Sequence, residues 1–180
     1  MDMKHANGEN KERFQIRSAR DALALLSRKA YERFGCEALP LIEEVWYQLG
    51  RSVGGGMRKE LALPDLVTAA NVFVEGANRR KNPVRTIELS EEKFHLEAYH
   101  CNLGLEGAGG ELCQAVMAMD RGLFEAAIGR SIEVEIVRSI ATGHDRCEII
   151  YRVKGGGSGE ESPKQSGTCK NEVPPERGDD

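Results

Sequence analysis

The sequence predicts an α+β domain: a four-stranded antiparallel sheet made of two hairpins, with helices packed on one face. Three observations carry this prediction. Helical periodicity dominates residues 20–80, period-two alternation starts at Pro83 and returns after residue 130, and one helical stretch separates the two alternating regions. Helices followed by hairpins in this order give one sheet with a helical layer on it.

The elements follow in chain order. Residues 1–11 are polar and predict a disordered N-terminus, and the folded domain is expected over 12–153. Leu23, Leu26, Ala30 and Phe34 recur at three- and four-residue steps and mark an amphipathic helix, which Gly35 is placed to end. A longer helix carries Ala38, Leu41, Ile42, Val45, Trp46, Leu49, Val53 and Met57 on one stripe. Its oddity is Gly54, Gly55 and Gly56 in succession, because each glycine inside a helix costs about 1 kcal/mol relative to alanine. A break between two elements would explain the run. So would a bared backbone that a ligand approaches closely.

Pro64 suits a first helical turn, and Leu66, Val67, Ala70 and Phe73 predict a third helix. It fades into the polar run 76–82, which reads as a solvated loop. Arg85, Ile87 and Leu89, then Phe94, Leu96 and Ala98, alternate on either side of the turn Ser90-Glu91-Glu92 and predict the first hairpin. A glycine-rich loop, 102–110, leads to a fourth helix that begins near Glu111 and ends at Gly129. The second hairpin pairs Ile132, Val134 and Ile136 with Cys147, Ile149, Tyr151 and Val153 across Thr142-Gly143-His144-Asp145. Residues 154–180 have almost nothing to bury and predict a disordered tail, with Cys169 a bystander in it.

Composition excludes several functions. Charged residues make up 30% of the chain, the net charge is −4, and the two signs are mixed, which argues against a nucleic-acid partner held by phosphate contacts. No run approaches the roughly 20 apolar residues that span a bilayer, and the opening MDMKHANGENKERF lacks the apolar core of a secretory signal. A cytoplasmic location with no membrane partner is the expectation. Five cysteines at irregular spacing then predict free thiols or metal ligands before a disulfide framework.

His100, Cys101, Cys113, Asp120, His144 and Cys147 come from a strand end, a helix and a turn, where side chains can converge. Three readings stay open. Thiolates with imidazole suit zinc, for which Cys101, Cys113, Cys147, His100 and His144 are the candidate ligands. Cys113 and Cys147 also fit as small apolar core residues. In the third reading Cys113 is a thiol nucleophile at a helix N-terminus, with a nearby His as base. Asp120 fits as a general base, as a ligand for a polar substrate group, or as an ion-pair partner of Arg121 or Arg17. Gly107-Ala108-Gly109-Gly110 lacks the lysine and the frame of a phosphate loop.

The stretch ELCQAVMAMDRGLFEAAIGRSIEVEIVRSIATGHDRCEII resembles the C-terminal half of the 4-vinyl reductase domain superfamily. The likeness is to the branch of L-2-amino-thiazoline-4-carboxylic acid hydrolase and the methanogen output domains. It rests on Cys101 before a glycine-rich loop, on Cys113 followed by Asp120-Arg121-Gly122, and on Gly143-His144-Asp145-Arg146-Cys147. Upstream, RFGCEALPLIEEVWYQLGRSVGGGMRKEL looks like the helix that precedes the sheet in that branch. The resemblance implies a ligand pocket between helices and sheet, and zinc bound in some members through positions matching Cys113 and Cys147. This chain has Ser139 and Ile136 where that pattern has a cysteine and an acid, so a zinc site would need Cys101 or His100 instead.

The leading expectation is therefore a domain that binds an aromatic, hydrocarbon or small heterocyclic molecule, with Trp46, Gly54, Gly55 and Gly56 bordering the pocket. One alternative is a hydrolase opening a C–N heterocycle with Cys113 and Asp120 as catalytic residues. Another is an accessory protein acting through a partner chain or as a homodimer.

Overall fold

A computed structural model of the chain describes residues 16–80 and 82–155. The N-terminus 1–11, most of the tail 154–180 and Cys169 lie outside the described residues, as does Lys81. Five helices and four strands follow in the order α1 (Ala19–Phe34), α2 (Leu39–Arg58), α3 (Leu66–Arg79), β1 (Val84–Leu89), β2 (Lys93–Ala98), α4 (Gly110–Val116), α5 (Ala118–Ile128), β3 (Ile132–Arg138) and β4 (Cys147–Val153). The sheet is four-stranded and antiparallel, as the alternation predicts, and its strand order is β1-β2-β4-β3.

Helix ends obey local chemistry. Ser18 caps α1 by accepting from the Asp21 amide, Asp65 caps α3 by accepting from the Thr68 amide, and Gly129 closes α5 in the left-handed conformation at φ 75°. The single fourth helix predicted from residue 111 is instead two, α4 and α5, joined at Met117. The polar run after Phe73 is likewise helical as far as Arg79, and Asn82 in it is buried rather than solvated.

α1 buries a different face from the one its periodicity marks. Ala24 and Ser27 point inward, while Leu26 and Phe34 are more than half exposed. The reason is a polar contact: Trp46 Nε1 donates to Ser27 Oγ at 2.9 Å, and Ser27 in turn donates to the Leu23 carbonyl at 2.8 Å. A buried indole N–H requires an acceptor, and that requirement outweighs the larger apolar side chains of α1.

α2 runs unbroken through its glycines and packs along α5. A Cβ on Gly50 would lie 1.9 Å from the Met119 carbonyl oxygen, one on Gly54 2.0 Å from that of Leu123, and one on Gly122 2.4 Å from that of Tyr47. The two backbones thus touch where no side chain stands between them. Gly55 and Gly56 face open space.

The core has two parts. Leu123, Phe124 and Ala127 of α5 and Ala69 and Ala70 of α3 pack on the inward sheet residues Phe94, Leu96, Ile149 and Tyr151. Phe94 stacks on Tyr151 with centroids 5.5 Å apart, and Phe124 lies 4.9 Å from Tyr151. Trp46, Leu112, Val116 and Leu105 form the second part, between α1, α2, α4 and the loop that follows β2. On the outer sheet face His95 Nε2 lies 3.0 Å from a Glu148 carboxylate oxygen, and an ion pair joins Arg146 to Glu97 at 2.9 Å.

Candidate functional site

Between the helical layer and the inward face of the sheet lies a cavity of about 610 Å³. Leu49, Val53 and Met57 of α2 form one wall, and Val72, Phe73 and Ala77 of α3 form another. Leu96, Ala98, Ile149 and Tyr151 make the sheet side, and Met119, Asp120 and Leu123 of α5 the far side. The volume falls within the roughly 300–1,000 Å³ of small-molecule sites, and the walls are mainly apolar with a few polar groups.

The three thiols converge here. Strand pairing sets Cys147 opposite Ala98 on the inward face, next to Ile149. Cys113 enters from α4, and Cys101 from the loop after β2. That loop is fastened to α1 by Arg28 Nη1, which donates to the Gly104 carbonyl at 2.8 Å. All three are free cysteines, and ionising Cys101 or Cys147 would raise the pKa of Cys113.

Each sulfur already has a polar neighbour. Cys113 Sγ is 3.2 Å from Ser139 Oγ, Cys101 Sγ accepts from the Leu105 amide at 3.4 Å, and Cys147 Sγ accepts from the Ile140 amide at 3.5 Å. Burial pushes the Cys113 thiol up to about 11 and raises that of Cys101 as well, so at neutral pH these two are thiols and not thiolates. Among the described residues no group of three or more His, Cys, Asp or Glu side chains is arranged to hold a metal ion.

The histidines part company. His100 lines the cavity, whereas His144 lies in the turn before β4, with Nδ1 3.1 Å from Thr142 Oγ1 and 3.3 Å from the Ser139 carbonyl. Trp46 and the glycine run do not border the cavity, which corrects their assignment as ligand contacts. Trp46 is fully buried in the other half of the core, Gly54 is pressed on α5, and Gly55 and Gly56 face outward.

Asp120 is in the cavity wall, but its partners differ from those the sequence suggests. Arg121 pairs with Glu43 at 3.0 Å, and Asp120 Oδ2 instead accepts from the Tyr151 hydroxyl at 2.7 Å. Burial drives the Asp120 pKa up, against that hydrogen bond and against the positive charges of Arg20 and Arg80, which draw it down. Tyr151 is also held well above its ordinary value by burial and by Asp120.

Four polar groups at this end of the cavity were not singled out from the sequence: Ser18, Arg20, Arg80 and Asn82. No periodicity marks them, because they sit at element ends that only the tertiary fold brings together. The one available signal was Asn82 before Pro83, a polar residue in a stretch with restricted backbone.

The fold at this point defines a class, the α+β domains with a cavity between a helical layer and an antiparallel sheet. The chain is similar in fold to the phenol-responsive sensory domain of the transcription activator PoxR, solved with phenol. The likeness has TM-score 0.56 and 15% identity over 77% of this chain and 76% of that one. It is similar as well to a trafficking protein particle complex subunit 3 from Naegleria fowleri, solved covalently bound to palmitic acid. There the TM-score is 0.57, with 13% identity over 76% of this chain and 95% of that one. No family model matches the sequence, and no curated protein matches it. Among the described residues no helix is long and apolar enough to cross a membrane.

Proposed function

We propose that this chain is a small-molecule binding domain whose ligand occupies the cavity between α2, α3, α5 and the sheet. The observation that carries the reading is the cavity itself: about 610 Å³ of mainly apolar wall with a polar end at Asp120. A well-packed core of this size has few voids larger than a water molecule, so an opening this large calls for an occupant. The shared fold adds support, since one neighbour was solved with an aromatic in place and the other with an acyl chain.

Membership of the 4-vinyl reductase superfamily is the family reading that goes with this proposal. It rests on the Cys113, Asp120-Arg121-Gly122 and His144-Asp145-Arg146-Cys147 motifs. The hydrolase alternative has less behind it, because a thiol held near 11 is a poor nucleophile at neutral pH. Zinc would have to displace the Ser139 and backbone contacts of the thiols. The homodimer is tested by molar mass from light scattering.

Calorimetric titration of the full chain with 1-decanol and with 4-phenylbutan-1-ol tests the binding reading. At least one is expected to bind, and Val72→Trp, which fills the cavity from α3, is expected to abolish that binding. Retained affinity in the Val72→Trp protein, with its thermal unfolding unchanged, would refute the cavity as the site.

A further inference from the structure

The polar end of the cavity holds unmet hydrogen-bonding capacity. Arg20 Nε is buried with no partner among the described residues. Its neighbour Arg80 is exposed, lines the same cavity and makes no ion pair or side-chain hydrogen bond among the described residues, and its pKa is lowered by partial burial and by the charge of Arg20. Asn82 is 8% exposed, and its Oδ1 likewise has no partner. Two guanidinium groups and an amide thus line the same cavity as Asp120, and neither arginine makes an ion pair with that carboxylate.

Leaving a buried donor unmet is costly, and more so for a charged group. Two like charges held together against an apolar wall add to that cost. Asp120 offsets one positive charge at most, and only while it is ionised. The N-terminus of α1 adds to the same field, since Ser18 and Arg20 both line the cavity and the helix is 16 residues long.

We infer that the occupant is a carboxylic acid with an apolar body, its carboxylate held by Arg20 and Arg80 and its body along Val53, Met57, Val72 and Phe73. The inference rests on the binding reading above and deepens it. A carboxylate meets the fork of a guanidinium with two parallel hydrogen bonds, which a neutral hydroxyl or a phenol does not do. An aliphatic or an aromatic body satisfies the walls equally, and the head group is the shared chemistry.

The test compares each acid with its alcohol on the full chain: decanoate against 1-decanol, and 4-phenylbutyrate against 4-phenylbutan-1-ol, by calorimetry at neutral pH. At least one acid is expected to bind about tenfold or more tightly than its alcohol, the gain of a charge-assisted pair. The pair that shows the gain identifies the body as aliphatic or aromatic. In Arg20→Met and Arg80→Met the acid is expected to weaken by about tenfold while the alcohol stays within about twofold. Alcohol binding by each variant also reports that it is folded. Equal affinity of acid and alcohol in the unmodified protein would overturn the acid head and leave the binding reading standing. No binding of any of the four compounds would overturn both.

Discussion

The α2–α5 seam and the cavity beside it are built by the same two helices and packed in opposite ways. On α2, Gly50 and Gly54 meet the α5 backbone at distances that leave no room for a methyl group, while Leu49, Val53 and Met57 look into an open space of about 610 Å³. On α5, Gly122 lies in the seam and Met119, Asp120 and Leu123 face the cavity. A seam with no side chains between its helices is stiff, because any relaxation separates the helices along their whole contact. That stiffness lets the neighbouring wall stay open, since the void cannot be closed by the helices sliding together.

Substitutions in the seam break this contrast most strongly. Gly54→Ala drives a methyl group into the Leu123 carbonyl, and a loss of about 3 kcal/mol or more is expected by denaturant unfolding. The adjacent Gly55→Ala meets nothing and is expected to stabilise the protein by about 0.5–1 kcal/mol, the ordinary helix gain. Equal effects at the two positions would show that the seam is not tight.

On the cavity side, Tyr151→Phe takes the hydrogen-bond donor from buried Asp120 and is expected to cost about 1–3 kcal/mol in the same measurement. Asp120→Asn acts through pH. An acid whose pKa is higher in the folded state than in the unfolded chain adds most stability below its ordinary carboxylate value. That contribution is lost as the pH rises through the folded value. The melting temperature of the unmodified protein relative to Asp120→Asn should therefore fall from pH 4 towards neutrality, and a flat difference would refute a raised Asp120.

The smallest effect concerns the thiols. Alkylation of Cys113 by iodoacetamide should accelerate about tenfold per pH unit through pH 8–10, because its pKa is near 11. A rate that levels off below pH 9 would instead reveal an activated cysteine.

The sheet and the meeting of the thiols were legible in the sequence. Period-two alternation puts Cys147 in phase with Ile149 and Tyr151, and the strand pairing keeps it there. The inner face of α1 was not legible, since Ala24 and Ser27 carry too little hydrocarbon to outweigh Leu26 and Phe34 in any hydrophobic pattern. The glycines read as helix breakers because a close backbone contact and a kink call for the same residue. Arg20, Arg80 and Asn82 look like surface residues, and only the closure of α1 and α3 over the sheet buries Asn82, half-buries Arg20 and sets the exposed Arg80 beside the cavity.

Both outer strands of the sheet carry the marks of protection against edge-to-edge stacking. β1 has an irregularity between Thr86 and Glu88 and bears Arg85, while β3 has one between Ile136 and Arg138 and bears Glu133 and Glu135. Kinks and charges of this kind prevent a flat ladder from continuing into another molecule. These features disfavour joining of copies edge to edge through their β-sheets.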